Sequence, residues 1–154
     1  MELTQTIENR RFKTSALSGI TSTLAKTGDI KQALEVAQKI VNAASAQWGI
    51  ATTLADAGET KQALEVAQKI EDASDKAFAL MDIASALAKA GDINQALEIA
   101  QKIEHAEANA FALMDIASAL AEAGDIKQAL ELAQKIKVAV RKADALWDIA
   151  SALA

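Results

Sequence analysis

The sequence contains no cysteine, no proline and no tyrosine, only one histidine, and only 3% aromatic residues among its 154 positions. Without cysteine, the chain forms neither disulfides nor thiolate metal sites. Without proline, no residue forces a helix to end. Because aromatic rings are scarce, alanine, leucine and isoleucine provide most of the 51% hydrophobic content. This composition favours closely packed helices.

The distribution of charge argues against two classes of partner. The formal net charge is −5, and the sequence has no basic stripe of the kind that neutralises nucleic-acid phosphates. Charged residues interrupt every apolar run well short of the ~18 residues of a membrane span, and the opening residues MELTQTIENRRF lack the apolar core of a signal peptide. We therefore predict no nucleic-acid partner, no membrane insertion and, by default, a cytoplasmic location.

Catalytic and metal-binding chemistry have few residues to use. His105 is the only histidine, and its neighbours Glu104 and Glu107 lack the spacing of a metal-ligand set, which favours a surface role. Every glycine other than Gly19 and Gly49 ends a predicted helix, so no glycine-rich phosphate loop is present. The sequence predicts a protein that is not an enzyme, with no catalytic residue, no metal and no cofactor.

A helical hairpin is repeated along the chain, and its clearest copy is FALMDIASALAKAGDINQALEIAQ at positions 78–101. Apolar residues recur at offsets 0, 3, 4 and 7 on each side of Gly91, which predicts two amphipathic helices. Gly91 suits the left-handed end of the first helix, and Asp92 with Gln95 resembles a capping box that opens the second. The predicted buried stripes are Leu80, Ile83, Ala84 and Leu87, then Ile93, Ala96, Leu97 and Ala100.

Copies of this hairpin turn at Gly28, Gly58, Gly91 and Gly124, at intervals of 30, 33 and 33 residues. The predicted array consists of a partial second helix with its link (1–13), four repeats (14–43, 44–76, 77–109 and 110–142) and an unpaired first helix (143–154). Glu59 replaces the capping aspartate in the second copy, which predicts a weaker helix start. The links between hairpins contain neither proline nor glycine, so the helices are expected to be able to continue through them.

Read from position 77, AFALMDIASALAKAGDINQALEIAQKI resembles the tetratricopeptide repeat over its whole hairpin. Leu80 and Ile83 stand at the family's large apolar places, and Ala84 and Ala96 stand at its small ones. The copies depart from the usual length of about 34 residues, carry Ala100 where an aromatic residue is common, and lack the closing proline. The resemblance implies an all-α fold, an α-solenoid of antiparallel helical hairpins that forms a right-handed superhelix.

The same resemblance implies a concave groove, lined by first helices, that holds an extended peptide or a partner helix. Its exposed positions correspond to the second, fifth and ninth residues of each copy. The predicted groove residues are Ser18, Trp48, Phe78, Met81, Ser85, Phe111, Met114, Ser118 and Trp147. Tryptophan and methionine are typical of protein interfaces, but the same side chains also serve to fill gaps between alanine-rich helices.

The charges of the groove narrow the ligand further. Family members that clamp a terminal carboxylate present Lys, Arg and Asn in the groove, and the corresponding positions here hold none of these. Asp82, Asp115 and Asp148 recur at the sixth position. Bonding of these carboxylates to a neighbouring repeat, or their solvation, is favoured over recognition of a basic ligand.

Self-association is a structural alternative to ligand binding. In one form, the unpaired first helix at positions 143–154 is covered by the start of a neighbouring chain, which gives head-to-tail assembly. In another, a helix running through residues 41–47 exchanges hairpins between two chains. The residues predicted for these contacts are Leu3, Ile7, Val41, Asn42, Leu146, Ile149 and Leu153. The near-identical copies also fit an engineered or excised array without a native ligand.

Overall fold

The computed structural model describes residues 19–20, 23–24, 26–37 and 43–153, and their regular secondary structure is entirely helical. This confirms the all-α class for these residues. The helices are α1 (Ile30–Ala37), α2 (Ala43–Asp56), α3 (Thr60–Gln68), α4 (Ala73–Lys89), α5 (Ile93–Ala100), α6 (Ala106–Glu122), α7 (Ile126–Lys135) and α8 (Ala139–Ala152). The predicted site residues outside the described part are Leu3, Ile7, Ser18, Val41 and Asn42.

The chain divides into two compact units, Met1–Asp75 and Lys76–Ala154. In the first unit, α2 packs against α1 and α3. In the second unit, α6 packs against α5, α7 and α8, and α8 also contacts α7. The even-numbered helices are the first helices of the repeats, and the odd-numbered helices are the second helices. No helix in the described part of the chain is long and apolar enough to cross a bilayer.

A glycine turn joins the two helices of each hairpin whose two helices are described, as the sequence predicts. Gly91 has a φ of +85°, a left-handed conformation that glycine adopts without strain. The Asp92 amide donates a hydrogen bond to the Leu87 carbonyl oxygen at 2.9 Å, and the Asp92 carboxylate accepts one from the Gln95 amide at 3.2 Å. The first bond closes α4, and the second satisfies a free amide at the start of α5.

The start of α3 is the exception that the sequence predicts. Its capping residue is Glu59, whose side chain makes no hydrogen bond to the backbone amides of the helix. Instead, the Glu59 carboxylate accepts a hydrogen bond from the Gln62 side chain at 3.2 Å. The longer side chain therefore leaves one helix-start amide without the partner that the aspartates provide.

The predicted stripes form most of the core of the α4–α5 hairpin. Ile83, Ala84, Ala96 and Ala100 are each 0% exposed, and Leu87 is 7% exposed. The other three predicted members, Leu80, Ile93 and Leu97, are half-buried. Alanine supplies many of the innermost positions of this hairpin.

The helices end at the described links, although the absence of proline and glycine there would allow them to continue. For example, α3 ends at Gln68 and α4 begins at Ala73. Each link carries one isoleucine that is almost completely buried, with Ile70, Ile103 and Ile136 exposed by 2%, 5% and 2%. At Ile136 the backbone is extended, with φ −66° and ψ 121°. Burying this side chain turns the chain inward, so the helix ends without proline.

Candidate peptide-binding face

Hydrogen bonds tie each first helix of the second unit to the next. The Ser85 hydroxyl on α4 donates to Asp115 Oδ2 on α6 at 2.5 Å. The Ser118 hydroxyl on α6 donates to Asp148 Oδ2 on α8 at 2.8 Å. Both bonds join the ninth residue of one copy to the sixth residue of the following copy. The three helices α4, α6 and α8 therefore lie side by side in a repeating arrangement.

These three helices carry a surface that we call the ladder face, formed by Phe78, Met81, Phe111, Met114 and Trp147. Residues three positions apart lie on one face of a helix, so each of α4 and α6 contributes a Phe–Met pair. The four Phe and Met side chains are half-buried, whereas Trp147 is 74% exposed. These five are the large predicted groove residues of the second unit, and they stand at equivalent repeat positions on three neighbouring helices.

The remaining large groove residue, Trp48, lies on α2 in the first unit, where it is half-buried. Its carbonyl oxygen accepts a hydrogen bond from the Thr52 hydroxyl at 3.2 Å. The first unit also contains a serine–aspartate bond, from the Ser45 hydroxyl to Asp75 Oδ2 at 3.3 Å. Asp75 is the last residue of the first unit, so each unit contains a serine–aspartate bond between residues 30 positions apart.

Two of the predicted groove residues, Ser85 and Ser118, form hydrogen bonds within the chain. Ser85 is only 6% exposed and Ser118 is half-buried, and both hydroxyls donate to aspartates as described above. They are therefore engaged inside the chain rather than presented to a ligand. The same bonds confirm the expectation that Asp115 and Asp148 bond to a neighbouring repeat.

Arg141 connects α8 to α6 at the edge of the ladder face. It donates to Glu107 Oε1 at 3.0 Å and to Asp144 Oδ2 at 2.9 Å, and its guanidinium carbon lies 3.9 Å from the centre of the Phe111 ring. The pKa of Arg141 is raised above its ordinary value, chiefly because it donates a hydrogen bond to Glu107. This contact was not predicted from the sequence, although Arg141 stands where the preceding copy has Ala108.

His105 caps the start of α6. Its Nδ1 accepts a hydrogen bond from the Ala108 amide at 3.3 Å, and its ring centre lies 5.3 Å from that of Phe78. The side chain is exposed, as predicted, but its capping role was not foreseen. Within the described ranges, no group of three or more His, Asp or Glu side chains is placed to hold a metal ion.

The last helix, α8, has one packed side and one open side. Ala145 and Ile149 are 0% and 1% exposed, whereas Leu146 and Leu153 are 41% and 65% exposed. Ile149 is predicted to contact a neighbouring chain, and this prediction is wrong, because α8 packs against α6 and α7 and buries Ile149 within its own chain. Leu146 and Leu153 remain on the surface.

Comparison with known proteins finds no matching family model, no matching curated protein and no matching solved structure. The resemblance to the tetratricopeptide repeat therefore rests on the residues of the hairpin and stays a prediction. The site itself is defined by its geometry, a partly exposed apolar surface on three helices that serine–aspartate bonds hold together.

Proposed function

We propose that the chain is a non-enzymatic protein interaction module whose ladder face binds an extended peptide or a partner helix. In this proposal the hairpins stack as a tetratricopeptide-like solenoid with a right-handed superhelical twist, and the first helices line its concave side. The partner is a protein or peptide, with no nucleic acid, membrane or cofactor involved.

The exposure of Trp147 is the observation that carries the proposal. At 74% exposure, a large aromatic side chain leaves most of its apolar surface in water, and burying apolar surface gains about 25 cal/mol per Å². Met81 and Met114 stand at the corresponding positions of α4 and α6 and are half-buried. Tryptophan and methionine are enriched at interfaces, and methionine adapts to ligands of varied shape.

The charges beside the ladder face indicate what kind of ligand fits. Asp115 and Asp148 each accept a hydrogen bond from a serine, and Arg141 is paired with Glu107 and Asp144. Arg141 is therefore neutralised within the chain, whereas the serine hydroxyls are neutral and leave the charges of Asp115 and Asp148 in place. Exposed charges of this kind add little affinity, because water and salt screen them. We therefore expect apolar anchor side chains of the ligand, packed against Met and Trp, to provide most of the affinity.

The proposal is tested by selecting binders from a displayed peptide library with the full chain and measuring their affinity for single variants. Trp147→Ala should weaken binding by about 10-fold or more, the typical effect of removing a central aromatic anchor. Because Trp147 is largely exposed, the variant should keep the helical circular dichroism spectrum of the parent. Leu130→Ala is the matched control, since Leu130 is a 39% exposed apolar residue on the second helix α7.

Met114→Ala provides a second, independent probe of the ladder face and should also weaken binding. Selected peptides that bind the Trp147 and Met114 variants as tightly as the parent would show that the ligand docks elsewhere. Failure to select any binder above the background of an unrelated helical protein would also contradict the proposal.

A further inference from the structure

The ladder face repeats at the spacing of neighbouring helices. Met81 on α4, Met114 on α6 and Trp147 on α8 hold the same position in successive copies. The two serine–aspartate bonds between these helices also join one constant pair of repeat positions, so the helices are paired in a constant register. The axes of packed helices lie about 8–10 Å apart. Apolar contacts therefore recur at about that interval along a line that crosses the three helices.

This interval distinguishes between the conformations of a peptide that crosses the helices. In a β-strand, side chains on one face are two residues apart, a step of about 6.6 Å, which is too short. In a polyproline II helix, side chains on one face are three residues apart, and a rise of about 3.1 Å per residue gives a step of about 9.3 Å. Of these two extended conformations, only polyproline II matches the step of the ladder face.

An α-helical ligand fits the polar groups between the helices less well. Its apolar stripe recurs at intervals of three and four residues, or about 4.5–6 Å, so every second apolar side chain would lie over the gap between two first helices. The hydrogen bond from Ser85 to Asp115 spans that gap between α4 and α6 at 2.5 Å. Covering a carboxylate with apolar side chains is costly, whereas the backbone of a polyproline II segment has free polar groups to place there.

Carboxylates beside the apolar contacts indicate the charge of the ligand. Asp115 follows Met114 in the sequence, and Asp148 follows Trp147. Each carboxylate uses Oδ2 to accept a hydrogen bond from a serine, and its negative charge remains because serine is neutral. This row of negative charge favours a ligand that carries Lys or Arg. Such complementarity acts on specificity and association rate more than on affinity, so the apolar contacts still provide most of the affinity.

We propose that the ligand of the ladder face is a polyproline II segment with an apolar side chain at every third position and Lys or Arg between them. Met114 contacts the central apolar side chain, and Met81 and Trp147 contact those on either side. The inference rests on the proposed function, to which it adds the conformation, spacing and charge of the peptide.

Synthetic peptides test the spacing by fluorescence anisotropy with the full chain. The first peptide has three repeats of Leu-Pro-Lys. The second has the same composition, reordered so that each leucine is two residues from the next. The third is an alanine-based helical peptide with leucine at every seventh position and the same number of lysines. We expect the first peptide to bind at least about 10-fold more tightly than the others, since each of them misplaces at least one apolar anchor.

The charge of the ligand is tested separately. Replacing lysine by glutamate in the first peptide should weaken its binding, and added salt should weaken the binding of the lysine peptide. The double variant Asp115→Asn/Asp148→Asn should lose most of this salt dependence, and its asparagine oxygens can still accept the serine hydrogen bonds. Glu131→Gln is the matched control, because Glu131 is an exposed carboxylate on the second helix α7 and its replacement should leave the salt dependence unchanged.

The outcomes separate this inference from the proposed function. Equal binding of the three peptides, or tighter binding of the second or third, would overturn the inferred spacing and conformation. A glutamate peptide that binds as tightly as the lysine peptide, or an unchanged salt dependence in the double variant, would overturn the inferred charge. If the library yields binders that are sensitive to Met114→Ala while the first peptide does not bind, this inference alone fails. Library binders that are insensitive to both Met114→Ala and Trp147→Ala would overturn the proposed function as well.

Discussion

The hydrogen bond from Ser85 to Asp115 should contribute measurably to the stability of the second unit. Ser85 is 6% exposed, and its hydroxyl lies 2.5 Å from Asp115 Oδ2. Ser118 holds the same repeat position one copy later and makes a longer bond of 2.8 Å to Asp148, on a more exposed surface. Substituting each serine by alanine therefore compares a buried and an exposed version of one interaction.

The structure sets the expected magnitudes. A hydrogen bond to a charged group contributes about 1.5–3 kcal/mol, and a neutral one about 0.5–1.5 kcal/mol. Asp115 is half-buried, so water compensates for part of the loss. We expect Ser85→Ala to lower the free energy of unfolding by about 1–2 kcal/mol, and Ser118→Ala by less than about 1 kcal/mol.

Urea denaturation followed by the methyl signals of Met81 and Met114, which lie half-buried in the second unit, measures these changes. This local readout matters because the chain has two compact units, and a single two-state transition is not assured for such chains.

A double-mutant cycle with Asp115→Ala isolates the pair. We expect a coupling free energy of about 1 kcal/mol between Ser85 and Asp115, within the range measured for contacting residues. A coupling within about 0.3 kcal/mol of zero, the error typical of independent sites, would refute the reasoning. So would a loss for Ser85→Ala no larger than that for Ser118→Ala.

Three further predictions concern the turns, a cap and the Arg141 contact. Gly91→Ala should destabilise the chain by about 1–2 kcal/mol, because the φ of Gly91 is +85° and a side chain is strained in that conformation. Gly49→Ala, inside α2 with no atom near the new Cβ, should stabilise the chain by about 0.5–1 kcal/mol. Thermal melts compare the two variants. Glu59→Asp should raise the melting temperature by restoring the cap that α3 lacks, a gain of about 0.5–1 kcal/mol, and an unchanged melt would contradict this. Arg141→Gln should lower the melting temperature, and the deficit should shrink with added salt; a salt-independent deficit would show that the contact with Glu107 is not electrostatic.

Local features of the fold were predictable from the sequence because their causes lie within a few residues. The periodic apolar residues correctly placed Ile83 and Ala84 in the core. The glycine with a following aspartate, as at Gly91 and Asp92, correctly marked the turn and the cap. Glu59 was correctly predicted to start its helix less well, because its longer side chain does not reach the free amides.

Features that depend on distant residues were not predictable in this way. The hydrogen-bond partner of Ser85, Asp115, lies 30 residues away in the sequence. The ninth position of the repeat, which Ser85 occupies, therefore predicted an exposed side chain and gave no sign of this bond. Ile149 shares the periodicity of Leu146 and Leu153, and periodicity alone does not say which neighbour covers each. The sequence left open whether the links are turns or continuous helix, because helix propensity does not depend on the burial of a single isoleucine such as Ile136.

The proposed function requires that the ladder face is the surface that contacts a ligand. Methyl spectra of the chain labelled at its three methionines test this directly when a selected peptide is added. The methyl signals of Met81 and Met114 should shift on titration, and that of Met1 serves as the internal reference. Binding that leaves both ladder signals unmoved would contradict the account.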